Sequence, residues 1–177
     1  MVAYVAMLRG INVSGRNKIK MSDLQALFAG IGHTDVVTYI QSGNVVFKSD
    51  EKRAAAVTAE IEQRIARELG FDVPVVLRTK ADLTKVIAAN PFAAGDRARV
   101  YVTFLAKKPE AMLVRALGDH AAPPEEFRVV GREVYLHCPS GYGTTKLNNT
   151  FWERKLNVAS TTRNWNTVTK LLELSGA

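Results

Sequence analysis

The chain has 177 residues, 47% of them hydrophobic and 23% charged, with a single cysteine. Those proportions exclude a disordered segment, a collagen-like repeat and a disulfide scaffold, and they fit one large domain or two small ones. What departs from the ordinary is a formal net charge of +7, from 24 Lys and Arg against 17 Asp and Glu, and an excess of that sign points to an anionic partner.

Taken in order, residues 2–9 read as a buried strand. The run is too short for a membrane span and lacks the basic flank of a signal peptide. With Cys138 as the one cysteine, the expected location is a reducing cytoplasm, away from membranes. A polar loop follows from Gly10 to Lys18, and then Ser22 with Gln25 three residues on, a capping-box signature. Leu24, Leu27 and Phe28 give the helix its apolar stripe before Gly30 and Gly32 end it. Residues 36–41 and 45–48 are strands divided by the turn Ser42-Gly43-Asn44. Residues 51–69 form a helix with Val57, Ile61, Ile65 and Leu69 spaced four apart, ended by Gly70, and residues 73–78 are a strand. The order is βαββαβ, the ferredoxin-like unit.

A connecting helix at 82–90 and a break at 90–96 precede a second pass: a strand at 100–105, a helix at 109–117 and a hairpin of 127–130 with 134–138. Gly43-Asn44-Val45-Val46-Phe47 and Gly131-Arg132-Glu133-Val134-Tyr135 stand at the same place in the two passes, which reads as a tandem repeat. The end holds a loop at 139–145, a helix at 146–156 packed through Leu147, Phe151, Trp152 and Leu156, an extended 158–161 and a final helix at 163–174. The expected fold is therefore α+β, two tandem ferredoxin-like (βαββαβ) subdomains with antiparallel sheets and an extra C-terminal helix. Subdomain 1 spans 1–90 with its connecting helix, and subdomain 2 spans 97–177.

The charge is not spread evenly. Residues 1–20 hold Arg9, Arg16, Lys18 and Lys20 and no acid, residues 21–144 hold 15 basic and 15 acidic residues, and the rest of the excess falls after 145. Topology adds a geometric expectation: in a βαββαβ unit the loop after the first strand and the turn between strands 2 and 3 share one edge of the sheet. Residues 9–20 and 41–44 should be neighbours.

The loop after the first strand is long for a βα connection, where about 2 to 6 residues is usual, and it runs into a helix N-terminus. It is not a Walker A loop, because Gly10 and Gly15 fit that pattern but Arg16-Asn17 stand where Lys and Ser/Thr are needed. The competing reading is a merely solvated loop. Gly141-Tyr142-Gly143-Thr144-Thr145-Lys146 is a second Gly-rich entry to a helix, with the chemistry to cradle a phosphate or carboxylate, although N-capping by Thr144 or Thr145 is the preferred reading. In residues 161–167, Thr161 or Thr162 caps the last helix and Trp165 packs inward, leaving Arg163, Asn164 and Asn166 to face outward. His33, His120 and His137 show no metal-ligand spacing, and His137 and Cys138, adjacent on a strand, point to opposite faces. No metal and no cofactor are expected. The aromatic motifs of an RNA-binding sheet are missing as well.

Three blocks in order, Arg9-Gly10-Ile11-Asn12-Val13-x-Gly15-x-Asn17-Lys18, Thr38-Tyr39-Ile40-Gln41-Ser42-Gly43-Asn44-Val45-Val46-Phe47 and Thr161-Thr162-Arg163-Asn164-Trp165-Asn166-Thr167-Val168, closely resemble the bacterial domain-of-unknown-function family 1697. The resemblance covers essentially the whole chain and implies two ferredoxin-like subdomains. It implies no activity.

Together these readings suggest a cytosolic protein that binds an anionic ligand: a nucleotide, a phosphorylated metabolite or a nucleic acid. Arg9, Asn12, Arg16, Asn17 and Lys18 are the candidate anion loop, Gln41, Ser42 and Asn44 the orienting groups, and Lys146, Arg163 and Asn164 the contribution of subdomain 2. The alternatives are an enzyme acting on a phosphorylated or carboxylated substrate in a cleft between the subdomains, and a structural or interaction module whose basic loops only confer solubility.

Overall fold

The computed structural model describes residues 1–118 and 123–176, so His120 lies outside the described residues. The fold is α+β and divides into two compact units, Met1–Thr84 with Leu171–Ala177, and Lys85–Lys170. In the first unit β1 (Val2–Leu8), α1 (Met21–Gly30), β2 (Thr34–Tyr39), β3 (Asn44–Ser49), α2 (Ala54–Leu69) and β4 (Val75–Thr79) follow in order, with α3 (Lys80–Ala88) leaving the last strand directly. The sheet is antiparallel in the order β2-β3-β1-β4, so β1 is central and β2 and β4 are its edges.

Alternation places the core. Tyr4, Ala6 and Leu8 of β1, with Val45 and Phe47 of β3 and Leu77 of β4, form one apolar face. Leu24, Leu27 and Phe28 of α1 and Val57, Ile61 and Ile65 of α2 cover it, at the helical spacings expected from the sequence. Gly70 stops α2 in the left-handed conformation, φ 76°, with its N–H on the Ala66 carbonyl at 3.0 Å. The other face is also buried, through Val5 and Met7 of β1.

The rest of the chain repeats the plan with β5 (Val100–Leu105), α4 (Ala111–Ala116), β6 (Glu126–Val130), β7 (Glu133–His137), α5 (Asn149–Leu156), β8 (Ser160–Asn164) and α6 (Trp165–Leu174), the unit boundaries falling within α3, after Thr84, and within α6, after Lys170. Its strand order β6-β7-β5-β8 is the same arrangement. The repeat extends to single hydrogen bonds. The Leu8 N–H donates to Gly43 O at 2.8 Å and the Leu105 N–H to Arg132 O at 2.9 Å; Arg9 N–H donates to Pro74 O at 3.0 Å and Ala106 N–H to Ala159 O at 2.9 Å. Gly43 is thus equivalent to Arg132, not to Gly131, and the sequence alignment of the two hairpins is off by one residue. The glycines share a role in turning the chain but not a register.

The same equivalence explains the C-terminal helix. Both fourth strands pass straight into a helix whose first turn is capped from the strand's last residue: Asp82 N–H donates to Thr79 Oγ1 at 3.1 Å, and Thr167 N–H to Asn164 Oδ1 at 2.8 Å. Helix α6 is the second copy of α3. One residue before each cap stands a buried arginine, Arg78 or Arg163, whose Nη1 donates to the preceding carbonyl at 2.9 Å and 3.0 Å respectively.

Several local expectations change. Ser22 and Gln25 do not form a capping box: helix α1 begins at Met21, Lys20 holds the cap position with no side-chain bond, and Gln25 Nε2 instead donates to Val36 O at 2.8 Å. Helix α5 starts at Asn149, capped by Asn148 Oδ1 accepting from Phe151 N–H at 3.0 Å, so Thr144 and Thr145 are not its caps. Residues 161–162 belong to strand β8 and do not cap α6.

Candidate functional site

The two copies differ in length where β1 and β5 hand over to their helices. The second copy makes the connection in Ala106–Glu110, whereas the first runs from Arg9 to Lys20. The added length is folded on itself. Arg16 N–H donates to Val13 O at 2.9 Å across Ser14 and Gly15, whose φ values of 50° and 74° are those a type I′ turn demands. Ile11 and Ile19, 1% and 5% exposed, anchor the two stems in the core.

Asn12 ties this small hairpin down. Its Nδ2 donates to Ile19 O at 3.1 Å and to Gln41 O at 2.8 Å, while its Oδ1 accepts from Ile19 N–H at 2.9 Å. The bond to Gln41 realises the adjacency expected from topology: the β1–α1 loop and the β2–β3 turn meet at one edge of the sheet. Gly43 lets them close. A Cβ there would stand 2.8 Å from Ile11 Cγ1 and 3.0 Å from Leu8 Cβ, and its φ is 84°. No other residue fits that approach and that backbone together.

Strain gathers at this edge. Six described residues other than glycine have positive φ, and four of them are here: Asn12 (54°), Ser14 (50°), Asn17 (47°) and Ile40 (52°). Asparagine tolerates that conformation, but exposed, β-branched Ile40 does not favour it, and each such residue costs on the order of 1 kcal/mol.

Between the loop, the turn and the end of α2 lies an open groove of about 650 Å³. Its polar lining is Asn12, Lys18, Lys20, Asp23 and Gln41, and its apolar lining comes from Ile19, Met21 and Leu69, with Gly15 at the rim. The N-terminus of α1 opens here. Asp23 and Leu24 N–H groups donate to Lys20 O at 3.1 and 3.0 Å, whereas the Met21 and Ser22 N–H groups have no protein acceptor among the described residues. Two free amides and two ammonium groups around a helix N-terminus make a positive rim.

The residues singled out from the sequence fall into distinct roles. Asn12, Lys18 and Gln41 line the groove; Arg16 is exposed on the hairpin; Asn17 donates from Nδ2 to Gly10 O at 3.3 Å and shapes the loop. Arg9 is half-buried at the end of β1, and its backbone is paired to Pro74. Asn44 is fully buried, donating to Tyr39 O and to Ser42 Oγ, both at 3.0 Å, so it and Ser42 build the turn from inside. In the second unit Lys146 is exposed and Asn164 serves as a helix cap. Arg163 does not face outward as expected: it is 7% exposed, donates to Thr161 Oγ1 at 2.6 Å, and burial lowers its pKa to about 10.

The sequence does not mark Lys20, Asp23, Met21 or Leu69 as site residues. Asp23 and Met21 open a helix that the capping-box reading starts two residues too late, and Leu69, the last member of the α2 stripe, packs against the core as expected and also lines the groove. Only the packing of α2 brings it to the groove.

Compared with known proteins, residues 1–135 match a family model described as "Protein of unknown function (DUF1697)". No curated protein matches the chain. Among solved structures, it is similar to conserved bacterial protein SP0830 from Streptococcus pneumoniae, with 22% identity, 98% of each chain covered and a TM-score of 0.79. A likeness at that identity speaks to the fold alone.

Proposed function

The chain belongs to the family of proteins of unknown function DUF1697, and from that premise, which carries no activity with it, we propose that it is a cytosolic binding protein for a small anionic ligand, held in the groove at the β1–α1 edge of the first unit. The observation that carries this reading is the coincidence of two features at one place. The β1–α1 connection, long in the first copy and short in the second, is braced in left-handed backbone, and it brings Lys18 and Lys20 into the lining of the groove where the free amides of Met21 and Ser22 begin α1. Strained backbone persists where the surrounding structure over-determines it, and such places are concentrated at ligand clamps and active sites. Helix N-termini with free N–H groups favour phosphate and carboxylate.

The supporting chemistry is that of binding. Lys18 and Lys20 supply charge, the two amides supply directed donors, and Gln41 supplies an amide that both donates and accepts. Asp23 in the same lining favours a compact ligand over a long polyanion, whose phosphates would have to run past a carboxylate.

The test is thermal denaturation with a panel of phosphate and carboxylate compounds, on the wild-type chain and on Lys18→Glu/Lys20→Glu. A ligand that binds only the native state raises Tm. The expected outcome is a rise with at least one compound that disappears in the double variant, whose own Tm is little changed because both lysines are exposed. A rise that survives the double variant, or none with any compound, contradicts the reading.

A further inference from the structure

The composition of the groove says more about its ligand than its charge does. A site built for inorganic phosphate or a bare sugar phosphate needs donors all round, yet here one side is apolar. Ile19 is buried with only its edge in the lining, and Met21 and Leu69 are half-buried and open to the groove. These groups lie beside the cationic rim, within one cavity of about 650 Å³, a size suited to a ligand of a few tens of atoms.

Resting on the anion-binding reading above, we infer that the groove takes a mononucleotide: the phosphate at Lys18, Lys20 and the amides of Met21 and Ser22, and the base against Met21 and Leu69. A nucleobase has the flat apolar faces that a sugar phosphate lacks, and a thioether packs well against an aromatic ring. Asp23 and Gln41 complete the match. A carboxylate accepts only, so it suits ribose hydroxyls or an exocyclic amine, and an amide reads a base edge in either sense. One carboxylate against two lysines leaves the phosphate end positive.

The experiment compares AMP, GMP, CMP and UMP with adenosine, ribose 5-phosphate, inorganic phosphate and a short oligonucleotide by thermal shift. At least one monophosphate should raise Tm by roughly 5 °C or more at about a hundred times its Kd, while adenosine, ribose 5-phosphate and inorganic phosphate at the same concentration give less than about 1 °C. Met21→Gln should weaken the monophosphate several-fold, and Gln41→Ala, an exposed change that leaves the fold intact, should alter the ranking of the bases. If ribose 5-phosphate or inorganic phosphate matches the nucleotides, the base is unused; the nucleotide assignment falls while anion binding stands. An oligonucleotide that alone raises Tm overturns the assignment in favour of a polymer. Silence from every phosphate compound overturns both readings.

Discussion

Gly43 is the residue on which the edge of the first sheet closes. It combines a φ of 84° with contact distances to Ile11 and Leu8 that leave no room for a methyl group. Gly43→Ala therefore meets both a backbone and a packing penalty, and it should destabilise the chain by more than about 1 kcal/mol in urea denaturation. His33 supplies a different test. It is 6% exposed, its ring stacks on Phe47 of β3 with centroids 4.5 Å apart and lies 6.1 Å from Phe28 of α1, and its Nε2 has no hydrogen-bond partner among the described residues. Burial lowers its pKa, only partly opposed by the Glu60 carboxylate on α2. In the unfolded chain the imidazole takes a proton near pH 6.5, whereas the native state resists it until lower pH. His33 thus costs nothing above about pH 6.5, and stability falls as the pH drops below that, with a slope of at most about 1.4 kcal/mol per pH unit. Measured from pH 7.5 to 5, that part of the slope should vanish in His33→Phe. An unchanged slope would mean that the imidazole is not held neutral.

At the scale of elements, the caps separate architecture from binding. Asn164 was a candidate ligand group, but its Oδ1 accepts from Thr167 N–H and starts α6. Asn164→Ala should cost about 1 kcal/mol and Asn164→Ser or Asn164→Asp much less, with no change in ligand response beyond that stability loss. The elements best read from sequence are those where pattern and boundary chemistry agree. Helix α2 has Val57, Ile61 and Ile65 four apart and Gly70 at its end, and all behave as expected. The caps were harder. Ser22 and Gln25 have the right spacing for a box, yet a residue type at a spacing does not fix the first helical residue, and the helix starts at Met21 because Ile11 and Ile19 anchor the loop before it. The extended run expected at 158–161 is the start of strand β8, but Thr161 and Thr162 are good caps, so the sequence ends the strand there and begins the helix at 163. Pairing with β5 decides otherwise, placing Thr162 opposite Thr103. Arg163, a cation in a polar run, then follows the strand inward, to a position equivalent to Arg78.

For the molecule as a whole, the two-copy plan was legible because the order of strands and helices repeats, even though the copies share few residues. The site was legible in part. Charge segregation and topology led to the loop and the turn, and Asn12, Lys18 and Gln41 do meet at the groove. The apolar lining was not, because Met21 and Leu69 come together only through packing. Among the described residues no helix is long and apolar enough to cross a membrane. Two of the 24 Lys and Arg, Lys18 and Lys20, line the groove at the start of α1. The most direct test is an amide chemical-shift titration of the labelled chain with a ribonucleoside monophosphate. The account predicts that the largest perturbations fall on Met21, Ser22, Gln41 and the loop around Gly15, saturate with one site, and are lost in Lys18→Glu/Lys20→Glu. Saturable perturbations confined to other residues, or none at all, would contradict it.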